Sequence, residues 1–535
     1  MSKSPLSLYS SYYIDTKVDP AAVTNHGGIF PYLDLMLLTD LPKLVNESLS
    51  QRGMSGWQHA EHVGALLALN LTGGDCVDDL VKLAGDPGIS LYMGQIARAV
   101  EAQDRHFSRG GDRDIPSLTS VREWLEQFHN ADEDSKRGYG QAFVPEPNKA
   151  LSGLREMNRE FVSRGWKLYQ RSGRPPVTSA TLEIDAAYME TQKRDALACY
   201  KHFDAYSGLT VRWAETGFAI WDEFRDGNVP PAWRNLEALT ESITYLNKEL
   251  GITDVWVRSD PDSRDQESIL KALSEWKIDG KVSPVKFAIG YIKTKEFREE
   301  LQKLADTEWE KVYDKKGRLD YEVAEVPFVS NTEAMIKAQP YRHIVVRRQA
   351  KQEILPGLGA NETELADEET IEIRGRAYHV HAIISNIEDE WSSQRVVEWY
   401  NGRCGGGEAI HSILKSDLAA GQLPSNRFGV NAAWWTIAVL TYNLHALLEK
   451  LAMPKGMVGS RFKRLRYHLI NVPARLVTHA RQCCVRYFQA ATLHLVQHIR
   501  GEIVPMDRDC GRLTWVGVDR LERLLRSEYR TESER

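Results

Sequence analysis

This sequence lacks the features that mark several large classes of protein. It has 535 residues but only six cysteines, and no two of them form a Cys-x-x-Cys pair. That spacing excludes an obvious zinc site or disulfide framework and suits a reducing compartment. Basic residues are not in excess: the net charge of -6 excludes a uniformly basic nucleic-acid binder, although local basic surfaces remain possible.

Long hydrophobic runs are also missing. The N-terminus, Met1–Tyr13, lacks the basic start and apolar stretch of a signal peptide. The most apolar window, Val430–Leu448, contains Asn431, Asn443 and His445, which favours a helix buried in a large domain over a transmembrane span. We therefore expect a cytoplasmic protein with no membrane partner.

The composition that is present is typical of a soluble globular protein, with 42% hydrophobic and 27% charged residues, and the length allows several domains. Apolar spacing predicts a helical N-terminal domain over residues 1–175. An α/β pattern follows over 176–291 and resumes over 386–450. Between them, 292–385 is predicted as a strand-rich insertion that opens with a charged helix over 294–311. Residues 451–535 form a basic C-terminal region.

The α/β pattern places acidic residues where strands end. Its order is three strands, helix, strand, helix, strand, with Asp185 in the first strand and Asp260 after the fourth. Strand exits in α/β sheets are where chemistry tends to lie. Glu183 is an alternative to Asp185, and Asp262 and Asp265 are alternatives to Asp260.

The stretch from Tyr400 to Lys415 adds a third acid. Glu408, His411 and Lys415 are spaced to share one helix face, with Arg403 and Tyr400 just upstream. Such a set can hold a divalent cation and a phosphate, although a surface helix would show the same spacing. Three glycines, 405–407, disfavour helix, so we predict that the helix begins near Glu408.

Two further segments are candidates for contact with nucleic acid. A short helix predicted over Ser117–Phe128 exposes Arg122 and is either a groove-binding helix or a scaffold helix. Residues 451–501 carry nine lysines and arginines and no acidic residue, and are either a solvated face or a backbone-binding surface. The candidates there are Arg461, Lys463, Arg464 and Arg466.

Several stretches resemble a known family. Tyr400-x-x-Arg403 followed by Glu408-x6-Lys415 resembles the Tyr-Arg-Glu-Lys signature of bacterial insertion-sequence DDE transposases, in the subgroup with a β-strand insertion. Further matches, in the family's order, are Leu182-Glu183-Ile184-Asp185, Arg225-Asp226-Gly227-Asn228, Val257-Arg258-Ser259-Asp260 and Thr441-Tyr442-Asn443-Leu444. Four residues separate Arg403 from Glu408, where the family usually has three.

The resemblance implies an RNase H-like α/β fold with a mixed sheet, a β-rich insertion, a helical N-terminal domain and a helical basic C-terminal region. It implies that Asp185, Asp260 and Glu408 are the catalytic ligands of two Mg²⁺ or Mn²⁺ ions. Tyr400, Arg403 and Lys415 would then contact the phosphates of transposon ends.

The implied activity is cut-and-paste transposition. The partners would be double-stranded DNA, as transposon ends with terminal inverted repeats and as target, and a second copy of the chain in the DNA-bound complex. Two other functions remain open. A metal-dependent nuclease of the same fold would use the same three acids, whereas a transposase-derived DNA-binding protein would not need them.

Overall fold

The structure is a computed structural model that describes residues 23–49, 56–100, 114–138, 141–260, 266–329, 341–350, 370–388, 390–403, 407–479 and 482–507. Its α-helices, in chain order, are α1 (Phe30–Leu38), α2 (Leu41–Ser48), α3 (His59–Thr72), α4 (Leu80–Leu83), α5 (Pro87–Val100), α6 (Leu118–Glu126), α7 (Lys149–Arg171), α8 (Asn235–Tyr245), α9 (Gln266–Ser274), α10 (Lys295–Lys303), α11 (Ser393–Asn401), α12 (Gly407–Ser412), α13 (Phe428–Ala452), α14 (Phe462–Leu465) and α15 (Ala490–Ile503).

Its strands are β1 (Val23–Thr24), β2 (Ser179–Glu190), β3 (Leu197–Ala198), β4 (Asp204–Trp213), β5 (Ala219–Asp226), β6 (Asp254–Ser259), β7 (Lys277–Ile278), β8 (Lys281–Val282), β9 (Lys286–Gly290), β10 (Glu310–Tyr313), β11 (Leu319–Glu325), β12 (Arg342–Gln349), β13 (Thr370–Ile373), β14 (Arg376–Ser385), β15 (Ala474–His479) and β16 (Gln482–Tyr487). The chain forms two compact units. The first contains the described parts of residues 23–127, 417–424 and 447–507, and the second contains those of 128–416 and 425–446. The predicted division into five segments stays a prediction.

The first unit combines helices with a small sheet. Helices α2, α3 and α5 pack against one another, and β1, β15 and β16 form a three-stranded antiparallel sheet. The basic C-terminal region therefore contains helices α14 and α15 and also a hairpin that the helical prediction did not include. Val477, Val485 and Tyr487 lie in that hairpin, and β-branched and aromatic residues of this kind fit a pleated strand better than a helix.

The centre of the second unit is a mixed sheet. Five strands lie in the order β5-β4-β2-β6-β9. Strands β2, β4 and β5 form an antiparallel meander, whereas β6 lies parallel to β2 and β9 lies parallel to β6. Helix α8 connects β5 to β6, and helix α9 connects β6 to β9. This order and these connections make an RNase H-like sheet, so the predicted fold class is confirmed.

The strand-rich segment extends that sheet at its β9 edge. Strand β14 pairs with β9, and β12, β11 and β10 follow in antiparallel order. The charged helix predicted over 294–311 was wrong beyond Lys303, where α10 ends, because Glu310–Tyr313 pairs with β11. Helix α11 packs on this part of the sheet through Val396, Val397 and Tyr400.

Helix α13 explains why an apolar stretch carries asparagines. The side chain of Asn443 accepts a hydrogen bond from the backbone N–H of Ala219 (2.8 Å) and donates to the carbonyl of the same residue (2.9 Å). It therefore satisfies backbone groups on the side of β5 where the described residues supply no further strand. In the described chain, no helix combines the length and the apolar character that a membrane crossing requires.

Candidate active site

Two aspartates lie side by side where a parallel ladder ends. The pairing of β2 with β6 ends with Ile184 opposite Ser259. Asp185 and Asp260 are the next residues along β2 and β6. Neighbouring strands of a sheet lie about 4.8 Å apart. Their side chains are 32% and 48% exposed. Both carboxylates are thus presented at one edge of the sheet and remain accessible to solvent.

Glu183, the alternative to Asp185, has a different environment. Its side chain is only 2% exposed and forms an ion pair with Arg212 at 2.6 Å. Arg258 donates to the same carboxylate and to the carbonyl of Trp399. Glu183 is therefore neutralised by two guanidinium groups and ties β2 to β4 and β6, whereas Asp185 is left at the sheet edge. The alternatives to Asp260, Asp262 and Asp265, lie outside the described residues.

The third predicted acid is on a helix that packs against β2. Helix α11 ends at Asn401 and α12 begins at Gly407, as predicted from the glycines between them. Glu408 is the second residue of α12, and its side chain is outside the described part of the chain. His411, one turn later, places Nε2 at 3.6 Å from Oδ2 of Asp185. The backbone of α12 thus brings the Glu408 position to the strand that carries Asp185.

Basic groups surround this edge of the sheet. An ion pair of 2.6 Å joins Arg403 Nη2 to Asp260 Oδ1, and the Arg403 side chain is only 15% exposed. Lys415 is half-buried, and burial lowers the pKa of its ammonium below the usual value; the charge of Lys201 lowers it further. Because burial and like charge both disfavour the cation, an anion such as a phosphate would be favourable here. Lys201, in the loop after β3, gave no signal in the sequence.

Tyr400 is placed differently from its prediction as a DNA contact. Its side chain is 1% exposed, within the apolar cluster that joins α11 to the sheet extension. The ring lies 5.3 Å from that of His381, and the guanidinium of Arg403 lies 4.8 Å from its centroid. Burial gives no support to a phosphate contact by Tyr400, whose ring contacts the guanidinium of Arg403 instead.

The other predicted DNA contacts belong to the first unit and differ in exposure. Arg122 pairs with Asp78 at 2.6 Å, and Arg461 pairs with Asp417 at 3.0 Å, and both arginine side chains are exposed. Lys463 and Arg464 are exposed. Each of these four side chains can reach solvent, so their prediction as DNA contacts stands untested.

Arg466 is committed to the protein backbone instead. Its guanidinium donates to the carbonyls of Asn70 (2.7 Å) and Leu71 (3.0 Å), in the last turn of α3, and to that of Asp417. Carbonyls at a helix C-terminus have no partner within the helix, and a cation there also complements the helix dipole. Arg466 therefore acts as a helix cap, which gives no support to its prediction as a DNA contact; that prediction stays untested.

The donors at the sheet edge fit a divalent cation. Carboxylate oxygens are the ligands that Mg²⁺ and Mn²⁺ prefer, and the carboxylates of Asp185 and Asp260 both reach solvent, Asp260 in spite of its ion pair with Arg403. Among the side chains that the structure describes, no group of three or more His, Cys, Asp or Glu is placed to hold a metal ion. Two members of the predicted trio are therefore brought together, and the third is placed by its backbone alone.

An RNase H-like sheet with two aspartates at the point where the parallel pairing of adjacent strands ends defines a class of enzymes that cleave or transfer phosphodiesters. Within that class, the chain belongs to the family described as Transposase DDE domain group 1, whose model matches residues 23–503. Members of this family generally depend on divalent metal ions. The predicted identification as a DDE transposase is confirmed at this level.

Two other comparisons were made. The cryo-EM structure of the piggyBac transposase synaptic complex with hairpin DNA is similar, with a TM-score of 0.37 and 10% sequence identity, over 92% of this chain and 84% of that one. Comparison with curated proteins gives no match.

Proposed function

We propose that this chain is a DDE transposase of the bacterial insertion-sequence kind, with Tyr400, Arg403, Glu408 and Lys415 as its Tyr-Arg-Glu-Lys signature. It would bind the terminal inverted repeats of its element, cleave DNA there, and join the released 3′-hydroxyls to target DNA. The observation that carries the proposal is the pair of solvent-accessible aspartates, Asp185 and Asp260, directly after the point where the parallel pairing of β2 with β6 ends, in a chain of this family.

Asp185, Asp260 and Glu408 would hold two ions of Mg²⁺ or Mn²⁺. When bound, such ions activate a water or hydroxyl nucleophile and stabilise the departing oxygen of a phosphodiester. The sheet would supply rigid positions for the carboxylates of Asp185 and Asp260, and the packing of α12 on β2 supports a position for Glu408 close to them. Rigid placement matters because a small misplacement of a catalytic group lowers the rate strongly.

Arg403 and Lys415 would position the DNA backbone. Arg403 has a guanidinium suited to bidentate phosphate contact, and Lys415 acts as a point charge. In the described structure Arg403 is paired with Asp260 at 2.6 Å. We infer that Arg403 would exchange this carboxylate for a phosphate when DNA and metal bind. The reason is that the guanidinium and a metal ion would compete for the same carboxylate of Asp260.

Sequence-independent contacts would come from Arg122, Arg461, Lys463 and Arg464, whose side chains reach solvent. Binding through such residues weakens as salt rises, because each phosphate contact releases counterions. By analogy with the family, two chains would act together on the two ends of the element, as a homodimer in the DNA-bound complex.

The test uses purified full-length protein, Mg²⁺ and a plasmid that carries the DNA flanking this gene. Transposition predicts cuts at inverted repeats and joined products, and both should be lost in Asp260→Asn. Asp262→Asn is the matched control and should keep both activities. Cleavage without joining would instead indicate a nuclease. Binding without cleavage, unaltered in Asp185→Ala, would indicate a DNA-binding protein and refute the enzyme.

A further inference from the structure

The hairpin of the first unit carries two arginines that face each other. Strands β15 and β16 pair so that Arg475 stands directly opposite Arg486. The neighbouring pair, Ala474 and Tyr487, faces inward: Ala474 is buried, and the hydroxyl of Tyr487 donates to the carbonyl of Gly27 at 2.7 Å. Because side chains alternate along a strand, Arg475 and Arg486 point to the outer face of the sheet. Both side chains are exposed.

The two positive charges repel each other. Side chains directly opposite each other on antiparallel strands have Cβ atoms about 4.5–5.5 Å apart, and like charges there destabilise the sheet. Within the part of the chain that the structure describes, neither guanidinium forms an ion pair. The sequence between Leu451 and Gly501 contains no acidic residue that could supply one. An anion bound between the two guanidiniums would therefore relieve the repulsion.

We propose that Arg475 and Arg486 together bind one backbone phosphate of the DNA that the chain binds. The inference rests on the proposed function, which supplies DNA as the partner. Arginine suits this role because its planar guanidinium can donate two parallel hydrogen bonds to a phosphate. Two such groups whose Cβ atoms lie about 5 Å apart can converge on a single phosphate from its two sides. A contact of this kind carries no sequence information and instead fixes the position of the hairpin on the duplex.

The sheet holds the backbone of both arginines in place. Arg475 lies on the central strand of the three-stranded sheet, and Val23 of β1 pairs with it on the side away from Arg486. Helix α15 packs against β16, the strand that carries Arg486. The two positions are thus ordered before DNA binds, so less conformational entropy is lost on binding than for a pair of arginines on a flexible segment.

The experiment measures binding of the full-length protein to a short fluorescent DNA duplex by anisotropy at several salt concentrations, without divalent metal. One duplex carries the DNA flanking this gene, and a second has an unrelated sequence. The double variant Arg475→Gln with Arg486→Gln should bind both duplexes roughly ten- to a hundredfold more weakly, because charged hydrogen bonds to a phosphate are lost. The slope of log affinity against log salt should fall by about one.

Lys281→Gln is the matched control. Lys281 is also an exposed cation on a hairpin, formed by β7 and β8, but it stands opposite Ile278 rather than a like charge. The variant should change neither the affinity nor the salt dependence.

Arg486→Glu gives a second, independent measurement. It replaces the repulsion across the strand pair by an attraction, so the urea midpoint without DNA should rise above that of the wild type. Its affinity for DNA should nevertheless fall below that of Arg486→Gln, since a negative charge then faces the phosphate. A purely structural role of the two arginines predicts a lower midpoint in the variants, and that result would overturn the inference.

The other outcomes separate the inference from the proposed function. Wild-type affinity with an unchanged salt slope in the double variant would overturn the inference, as would an equal loss in Lys281→Gln. A loss confined to the flanking duplex would contradict a backbone contact. A changed oligomeric state with unaltered DNA binding would assign the pair to contact with a second copy of the chain. A wild-type protein that binds neither duplex would refute the proposed function, and the inference with it.

Discussion

Arg403→Gln should have opposite effects on metal binding and on DNA cleavage. In the described structure the guanidinium of Arg403 lies 2.6 Å from an oxygen of Asp260, so the arginine and an incoming cation compete for one carboxylate. Removing the guanidinium frees Asp260 and also removes a positive charge beside the cation. We therefore expect tighter binding of Mn²⁺ to the protein without DNA, and weaker cleavage because a proposed phosphate contact is lost.

The exposure of Asp260 limits the size of the effect on metal affinity. Two opposite unit charges about 4 Å apart attract each other by about 4 kcal/mol in a medium of intermediate dielectric. Because the Asp260 side chain is 48% exposed, water screens most of this attraction, and exposed pairs of this kind measure up to about 1 kcal/mol. One kcal/mol corresponds to a roughly fivefold gain in Mn²⁺ affinity. Loss of a charged hydrogen bond to phosphate, about 1.5–3 kcal/mol, would slow cleavage by roughly ten- to a hundredfold.

Calorimetric titration of Mn²⁺ and a cleavage assay on the same protein preparation measure both effects. Arg395→Gln is the control: Arg395 is an exposed arginine on α11 that stacks on Trp391 at 3.9 Å. It should change neither quantity. Unchanged or weaker Mn²⁺ binding in Arg403→Gln would refute the competition between the guanidinium and the cation.

Four further substitutions test the roles of Glu183, Arg466 and Arg464 and the burial of His62 on α3. Glu183→Gln removes the negative charge that faces the guanidiniums of Arg212 and Arg258. It should lower the free energy of unfolding by about 3 kcal/mol, measured as a shift of the urea midpoint. An unchanged midpoint together with lost cleavage would instead favour a catalytic role for Glu183. Arg466→Ala should lower the melting temperature of the first unit, because it removes the cap of α3. Arg464→Ala should leave that temperature unchanged. It should instead reduce the salt dependence of DNA binding by about one phosphate contact. Burial lowers the pKa of His62 to about 4, below its unfolded value of about 6.5. Because the unfolded chain then binds a proton more readily, the free energy of unfolding should fall by roughly 3 kcal/mol as the pH drops from 6.5 toward 4. In His62→Gln this dependence on pH should be weaker.

The sequence predicted local elements well where one pattern dominated. Strand β6 ends at Ser259, directly before Asp260, as expected, since apolar residues alternate along the strand up to that point. The start of α12 near Glu408 followed from the glycines before it. The strand order of the RNase H-like sheet came from the resemblance, because pairing between distant strands leaves no local signal.

The differences arise from long-range contacts. Glu310–Tyr313 has the charge pattern of a surface helix but pairs with β11, and tertiary pairing overrides a weak local propensity. Arg466 is one basic residue among several in the sequence, and only the fold shows that it caps α3. The contact of His411 with Asp185 joins residues far apart in the chain, so spacing alone could place it on the face of Glu408 but not beside Asp185.

The most direct test of the account is a crystal structure of the protein with Mn²⁺ and an end-containing DNA, with the metal located by its anomalous scattering. The account predicts metal peaks at coordination distance from carboxylate oxygens of Asp185, Asp260 and Glu408, with the Arg403 guanidinium moved from Asp260 to a phosphate. Metal bound elsewhere, or bound at this sheet edge with Glu408 turned away from it, would contradict the assignment of these three residues as one catalytic site.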